Sequence, residues 1–267
     1  MPTDPAPLAA HVEHTGAPDA PPAARTLAVL FAHPDDETFS MGATLPRYAG
    51  EGVAIHLLCA TDGDGGRASA VAVGSRAELG RLRRAELHAA ARTLGVRSVT
   101  SLGLPDGGLS TVDADALVDA MVRFLRTHRP QVVTTFGPEG APNAHRDHRA
   151  VSRAATAAFF LAPLPTAYPE QLAEGLAVHA ADRLHYVAWS APAPGDAITV
   201  HSVPPTVRLD VRAWDETKRA AFEAHRTQHE FRDRFEALSM RDDESFALVA
   251  GTPQPAPLVD DLFAGLR

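Results

Sequence analysis

The sequence predicts an α/β fold in which a mostly parallel sheet carries helices on both faces and a C-terminal extension packs on the same domain. Two observations predict it. From Arg25 onward, short β-rich runs alternate with segments of helical period, and such alternation builds parallel strands joined by crossover helices. Composition agrees: 267 residues, 45% hydrophobic and 22% charged, describe an ordinary globular chain, long enough for one large domain or two small ones.

Residues 1–24 are rich in Pro and Ala (Pro2, Pro5, Pro7, Pro18, Pro21, Pro22) and lack periodicity, so they read as a mobile tail with too little apolar surface to offset ordering entropy. Strands follow at Thr26–Ala32, Val53–Cys59, Ser98–Leu102 and Gln131–Phe136. Helices are expected between and after them at Met41–Ala49, Arg76–Leu94, Ala114–Thr127 and near His148–Phe160. In Arg76–Leu94 the residues Leu79, Leu82, Leu87, Ala90, Ala91 and Leu94 approximate one apolar stripe, and Gly95 supplies a C-cap. Beyond about residue 163 the pattern weakens. Leu184–Trp189 and Thr206–Val211 read as strands, and Ala213–Glu236 as one long helix with its charges toward solvent. Pro192, Pro194, Pro204 and Pro205 mark irregular connections. This stretch is taken as an extension of a single domain, 25–267, without internal repeats.

The chemistry concentrates where two strands end. The apolar run Leu27–Phe31 leads into Ala32-His33-Pro34-Asp35-Asp36-Glu37, delivering an imidazole and two adjacent carboxylates to a strand's carboxyl end, the edge where open α/β sheets place ligands. Pro34 has no N–H to donate, so the chain must leave the sheet there. A second cluster, Asn143-Ala144-His145-Arg146-Asp147-His148, follows the strand Gln131–Phe136 after a loop of Gly137, Pro138, Gly140 and Pro142. Parallel strands can be neighbours, which would bring the clusters together. Ionisable groups so densely placed are costly to bury unless a metal or a catalytic task uses them.

Bulk composition narrows the field. A formal charge of −8 argues against nucleic acid as a partner. Cys59 is the only cysteine, which excludes an intrachain disulfide and a cysteine-built zinc site, whereas 13 histidines leave His/carboxylate coordination open. No apolar run approaches the roughly 18 residues that spanning a membrane requires, and no signal peptide is recognisable, so the expected location is cytoplasmic. Assembly into a homo-oligomer is left open.

The two clusters resemble those of the LmbE/PIG-L family of zinc-dependent N-deacetylases. Thr61-Asp62-Gly63, Arg83-Arg84-Ala85-Glu86-Leu87 ahead of Leu94-Gly95-Val96, and Leu104-Pro105-Asp106-Gly107 extend the likeness. So do Lys218-Arg219-Ala220-Ala221, His225 and Gln228, so that it runs from about Thr26 to the end. Carried over, it implies a Rossmann-like fold, with His33, Asp36 and His148 as ligands of Zn2+ (Fe2+ being compatible) and Asp35 as general base. It further implies that His145 and Asp147 assist at the second motif and that Arg83 and Asp106 contact the substrate, an N-acylated amino sugar of N-acetylglucosamine type or its conjugate. Spacing alone does not decide between Asp35 and Asp36 as the ligand. The segment Gly137–Ala144 lacks the tyrosine that the branch acting on mycothiol precursors carries there, so its hydroxyl is missing or supplied elsewhere.

Other readings of these residues remain in view. The same metal chemistry would serve an amidase acting on a thiol conjugate or a natural-product intermediate, and a binding protein could keep the metal without turnover. Asp62-Gly63-Asp64-Gly65-Gly66 suggests a calcium loop, but its twelfth position is Val73, so a loop lining the substrate mouth is expected instead. No Gly-x-Gly-x-x-Gly follows the first strand. Without the family, Arg83 and Glu86 would read as a helix-surface ion pair, Asp106 as a turn residue, and His229 as part of a solvated helix face.

Overall fold

The computed structural model describes residues 8, 10–15, 25–68, 71–189 and 202–266. In chain order the elements are β1 (His11–His14), β2 (Thr26–Phe31), α1 (Asp36–Met41), α2 (Thr44–Gly50), β3 (Ala54–Thr61), α3 (Arg76–Thr93), β4 (Ser98–Leu104), α4 (Ala114–His128), β5 (Val132–Phe136), α5 (Arg146–Leu161), α6 (Pro169–Ala173), β6 (Arg183–Val187), β7 (Val207–Asp210), α7 (Asp215–Ala224), α8 (Arg232–Leu238) and β8 (Asp243–Gly251). The eight strands form one sheet in the order β1-β4-β3-β2-β5-β6-β8-β7.

The five strands β4-β3-β2-β5-β6 are parallel, as the alternating pattern predicts. Leu27, Ala28, Val29 and Leu30 of β2 are fully buried, because the central strand is covered on both faces. Around the sheet α4 packs with α5 and α3 with α7. The chain winds outward from β2 through β3 to β4, then crosses to the other side of β2 and lays down β5, with Leu27 opposite Val132 and Val29 opposite Thr134. This reversal opens a crevice at the carboxyl ends of β2 and β5, and both motif clusters leave the sheet there. The C-terminal part joins the same sheet, β8 pairing antiparallel with β6 and β7 with β8.

Several sequence expectations are corrected. Within the tail read as mobile, His11–His14 form an edge strand antiparallel to β4. All four residues are exposed, so the pairing rests on backbone hydrogen bonds and leaves no apolar pattern to detect. The remainder of 1–24 lies outside the described residues except Leu8, Ala10 and Thr15, as do Pro192 and Pro194. The helix expected at Met41–Ala49 is two short ones, α1 and α2, divided at Gly42, where a Cβ would run into Thr38 O and lie 2.8 Å from Lys218 Cγ. The amides of Ala43 and Thr44 donate to buried Glu244, whose carboxylate also receives Lys218 Nζ at 2.5 Å. The long helix at Ala213–Glu236 is broken at His225 (φ −83°, ψ 62°) between α7 and a 3-10 turn, because that side chain turns inward. Among the described residues no helix is long and apolar enough to cross a membrane.

Candidate active site

The first motif folds back on itself as β2 ends. The amides of Ala32 and His33 donate to Asp36 Oδ2 at 3.2 and 2.7 Å, which fixes that carboxylate at the start of α1. The second motif opens α5, where His145 is the N-cap and accepts from the Asp147 amide through Nδ1. Together they bring three imidazoles into contact: ring centroids lie 4.6 Å apart for His33–His145 and 5.2 Å for both His33–His148 and His145–His148. His148 stacks flat on Phe136, the last residue of β5, at 3.9 Å.

The hydrogen bonds define which nitrogens are free. His148 Nδ1 lies 3.0 Å from Ala141 O, a group that only accepts, so that nitrogen carries the proton. Its Nε2 then turns a lone pair toward Asp36 Oδ1 at 3.2 Å. On His33, Nε2 faces two carboxylates, Asp106 Oδ1 at 3.1 Å and Asp147 Oδ2 at 3.3 Å, and donates to them. Its Nδ1 lies 3.3 Å from Asp36 Oδ2; burial opposes protonation of the ring, but Asp106, Asp147 and Asp36 outweigh it and raise its pKa well above the ordinary value. Nitrogens of two imidazoles therefore face one carboxylate, an arrangement that a proton on His33 or a bound cation satisfies. Metal bonds of about 2.1 Å in a tetrahedron put ligand atoms roughly 3.4 Å apart, and each of the two nitrogen–carboxylate contacts is close to that separation. Among the described residues the groups whose ligand atoms all lie within 4.8 Å of one another are His33–His145–His148 and His33–Asp106–Asp147, and Asp36 meets His33 and His148 through different oxygens; these donor types suit a divalent metal ion.

The two adjacent carboxylates are pushed in opposite directions. Burial raises Asp35 to a pKa of about 6, with Asp36 adding to the rise and Arg83 opposing it. Burial also acts to raise Asp36, but His148 and His33 outweigh it and hold that carboxyl well below its ordinary value. Paired carboxyls so separated suit different tasks, one as a permanent anion and one as a base. Asp35 sits in an unusual backbone conformation, φ 123°, and its Oδ2 receives Arg83 at 3.2 Å. His145 is held low, first by burial and then by the neighbouring His33 and His148.

Arg83 is buried and not a surface residue. It donates to Pro34 O at 2.5 Å and Gly63 O at 3.0 Å, while Glu86 accepts from Thr227 instead. A Cβ at Gly63 would fall 2.5 Å from Arg83 Nη1, and its φ of +66° suits glycine, so the Asp62–Gly66 loop needs glycine to admit the guanidinium. Asp106 is more than a turn residue, as its contact with His33 shows. Asp147 stands behind the site: its carboxylate is filled by His33, the Gly107 amide and the Leu109 amide, and it orients His33 without reaching the cleft.

The cleft encloses about 210 Å3 and is lined by His33, Asp35, Asp36, Arg83, Asp106, His145 and His148 at its floor. Gly66 and Arg67 of the glycine-rich loop line it, as expected for a substrate mouth, together with Pro142, Asn143, Gln228, Phe231 and Arg234. The sequence carried no signal for Phe231 or Arg234, which reach the cleft only because the chain breaks at His225. His229 packs at the surface against Glu223.

Comparison with known proteins gives the family and the fold. Residues 28–159, which span both motifs, match the PIG-L family, described as GlcNAc-PI de-N-acetylase. The chain is 33% identical over 276 residues, covering 91% of itself and 99% of the relative, to the 1D-myo-inositol 2-acetamido-2-deoxy-alpha-D-glucopyranoside deacetylase of Mycobacteroides abscessus. Among solved structures, the fold is shared with N,N'-diacetylchitobiose deacetylase from Pyrococcus horikoshii, at a TM-score of 0.71 and 22% identity over 84% of each chain. A conserved protein of Thermus thermophilus matches at a TM-score of 0.65 and 28% identity, over 85% of this chain and 95% of that one. The family match and a relative one-third identical over nearly the whole of both chains show that the chain belongs to the PIG-L family.

Proposed function

We propose that this protein is a metal-dependent hydrolase that removes the N-acetyl group from an N-acetylglucosamine-type sugar conjugate. The observation that carries the reading is the pairing of a His33–Asp36–His148 donor set with a second carboxylate, Asp35, of opposite pKa shift, in one cleft. The relatives' named substrates, acetamido sugars bearing a further group, support the substrate class. Zinc is the ion we assign; ferrous iron suits the same ligand types.

A divalent ion held by His33, Asp36 and His148 would polarise the amide carbonyl and make a bound water acidic. Asp35 would take the proton of the attacking water, and its contact with Arg83 supports that role by fixing the carboxylate. As water adds to the carbonyl carbon, negative charge grows on the amide oxygen, and His145 lies across from Asp35's motif to meet it with an N–H. Breaking the C–N bond then needs a proton on the leaving nitrogen, which Asp35 or His145 can supply. Acetate and the free amino sugar result. Arg83 and Asp106 are the side chains we assign to the sugar hydroxyls, with Asp147 and Glu37 as positioning residues.

The test is acetate release from a panel of N-acetylated amino sugars and their conjugates by metal-loaded protein, with metal content measured in parallel. Release that a chelator abolishes and zinc restores is expected. No acetate from any member, with the metal bound, overturns the reading.

A further inference from the structure

Every carboxylate on the floor of the cleft has a basic partner, whereas two guanidinium groups that line the cleft have no acidic one among the described residues. Asp35 faces Arg83, Asp36 faces His33 and His148, and Asp106 faces His33 and Arg83. Arg67 and Arg234 complete the charged lining. Both are exposed, and neither guanidinium has an ion-pair or hydrogen-bond partner among the described residues. They rise from one wall: buried Gln228 donates Nε2 to Arg67 O at 3.2 Å, fastening the glycine-rich loop to the segment that carries Phe231 and Arg234.

Two uncompensated arginines run against the character of a chain whose formal net charge is −8. At the mouth of a cleft they create a local positive spot that the low-dielectric walls focus. Guanidinium forks match phosphate and carboxylate oxygens. The amide must meet His33, Asp35 and His148 for hydrolysis, and an acetyl group adds only a methyl beyond the carbonyl, whereas the sugar carries the larger part of the substrate. What reaches the rim is therefore carried by the sugar and leaves with the amine.

We propose that Arg67 and Arg234 determine specificity by holding an anionic group, phosphate or carboxylate, attached to the amino-sugar part of the substrate. This rests on the N-deacetylase reading of the same cleft and narrows its substrate class to anionic conjugates.

The experiment compares N-acetylglucosamine 1-phosphate and a carboxymethyl glycoside of N-acetylglucosamine with the neutral methyl glycoside. Native protein, Arg67→Ala, Arg234→Ala and the double variant are each assayed. Native protein should prefer both anions by about tenfold or more in kcat/KM, carried by KM, and added salt should erode the preference. The double variant should lose the preference, with its kcat/KM for the two anionic sugars falling to its value for the neutral glycoside. Equal turnover of neutral and anionic sugars by native protein, or a preference that survives in the double variant, overturns the proposal and leaves the deacetylase reading standing. If no sugar yields acetate, the activity reading fails, and calorimetric binding of the same three sugars decides this proposal. Tighter anion binding that the double variant loses supports it, and equal binding overturns it.

Discussion

His225 Nε2 lies 2.7 Å from Glu37 Oε1, a contact made across 188 residues of chain with both side chains buried. The other Glu37 oxygen accepts the Asp35 amide at 3.1 Å, so this pair braces the backbone of the residue whose φ is 123°. Burial opposes protonation of His225, but the Glu37 carboxylate outweighs it and raises the imidazole's pKa. His225→Ala leaves that buried carboxylate without its basic partner, with only the Asp35 amide and the Thr38 hydroxyl donating to it, and should cost about 3–5 kcal/mol of stability. Urea unfolding measures the loss. Initial rates on the surviving folded fraction should show kcat lowered with KM little changed, because Asp35 loses its brace and the substrate contacts do not.

The neighbouring aspartates should separate cleanly by substitution. Asp35→Asn should lower kcat by about a hundredfold or more while metal stays bound. Asp36→Asn or His148→Ala should lose the metal instead, since each removes one of three donors. Elemental analysis of the purified variants after dialysis distinguishes the two outcomes.

Gly63→Ala should displace Arg83. The added Cβ would meet the guanidinium at 2.5 Å, and alanine at a φ of +66° carries strain of roughly 1 kcal/mol or more. Arg83 aims Asp35, so activity should fall further than stability does. Thermal unfolding and kcat measured on the same preparation provide the comparison.

Stability should fall with acid through buried neutral histidines. Burial lowers His185 to a pKa of about 3, with Arg183 adding to the effect, and neither of its ring nitrogens has a partner among the described residues. Burial likewise lowers His56 to about 3 and His128 to about 4, where the two rings stack at 3.9 Å. A histidine whose folded pKa is depressed is neutral in the fold and takes a proton on unfolding once the pH drops below its ordinary value of 6.5. Stability should therefore decline from pH 6.5 down toward the folded values, by at most about 1.4 kcal/mol per pH unit for each such histidine. His185→Leu should flatten the slope by one proton, read as the difference between variant and native unfolding at several pH values.

The parallel half of the fold and the floor of the site were legible because they are local. Leu27–Phe31 is continuously apolar, and the two motifs come after strands that the structure makes neighbours, the first at once and the second after a short loop. What stayed hidden depends on distant partners. Asp243–Gly251 escaped notice as a strand because Glu244 and Ser245 at its start are buried polar residues, the former satisfied by Lys218 and two backbone amides. The break at His225 has no glycine or proline to announce it and is imposed by Glu37. Arg83 next to Glu86 in helical spacing suggested a surface pair, since nothing local records that Pro34 and Gly63 offer it carbonyls inside.

Lys218 is the chain's single lysine and is only 2% exposed, its ammonium held by Glu244 and the Ser239 carbonyl. Reagents that attack primary amines accordingly find no lysine to modify on the native surface. Covalent tagging of Lys218 becomes a clock for the opening of this one junction, where α7, the start of α2 and β8 are locked together.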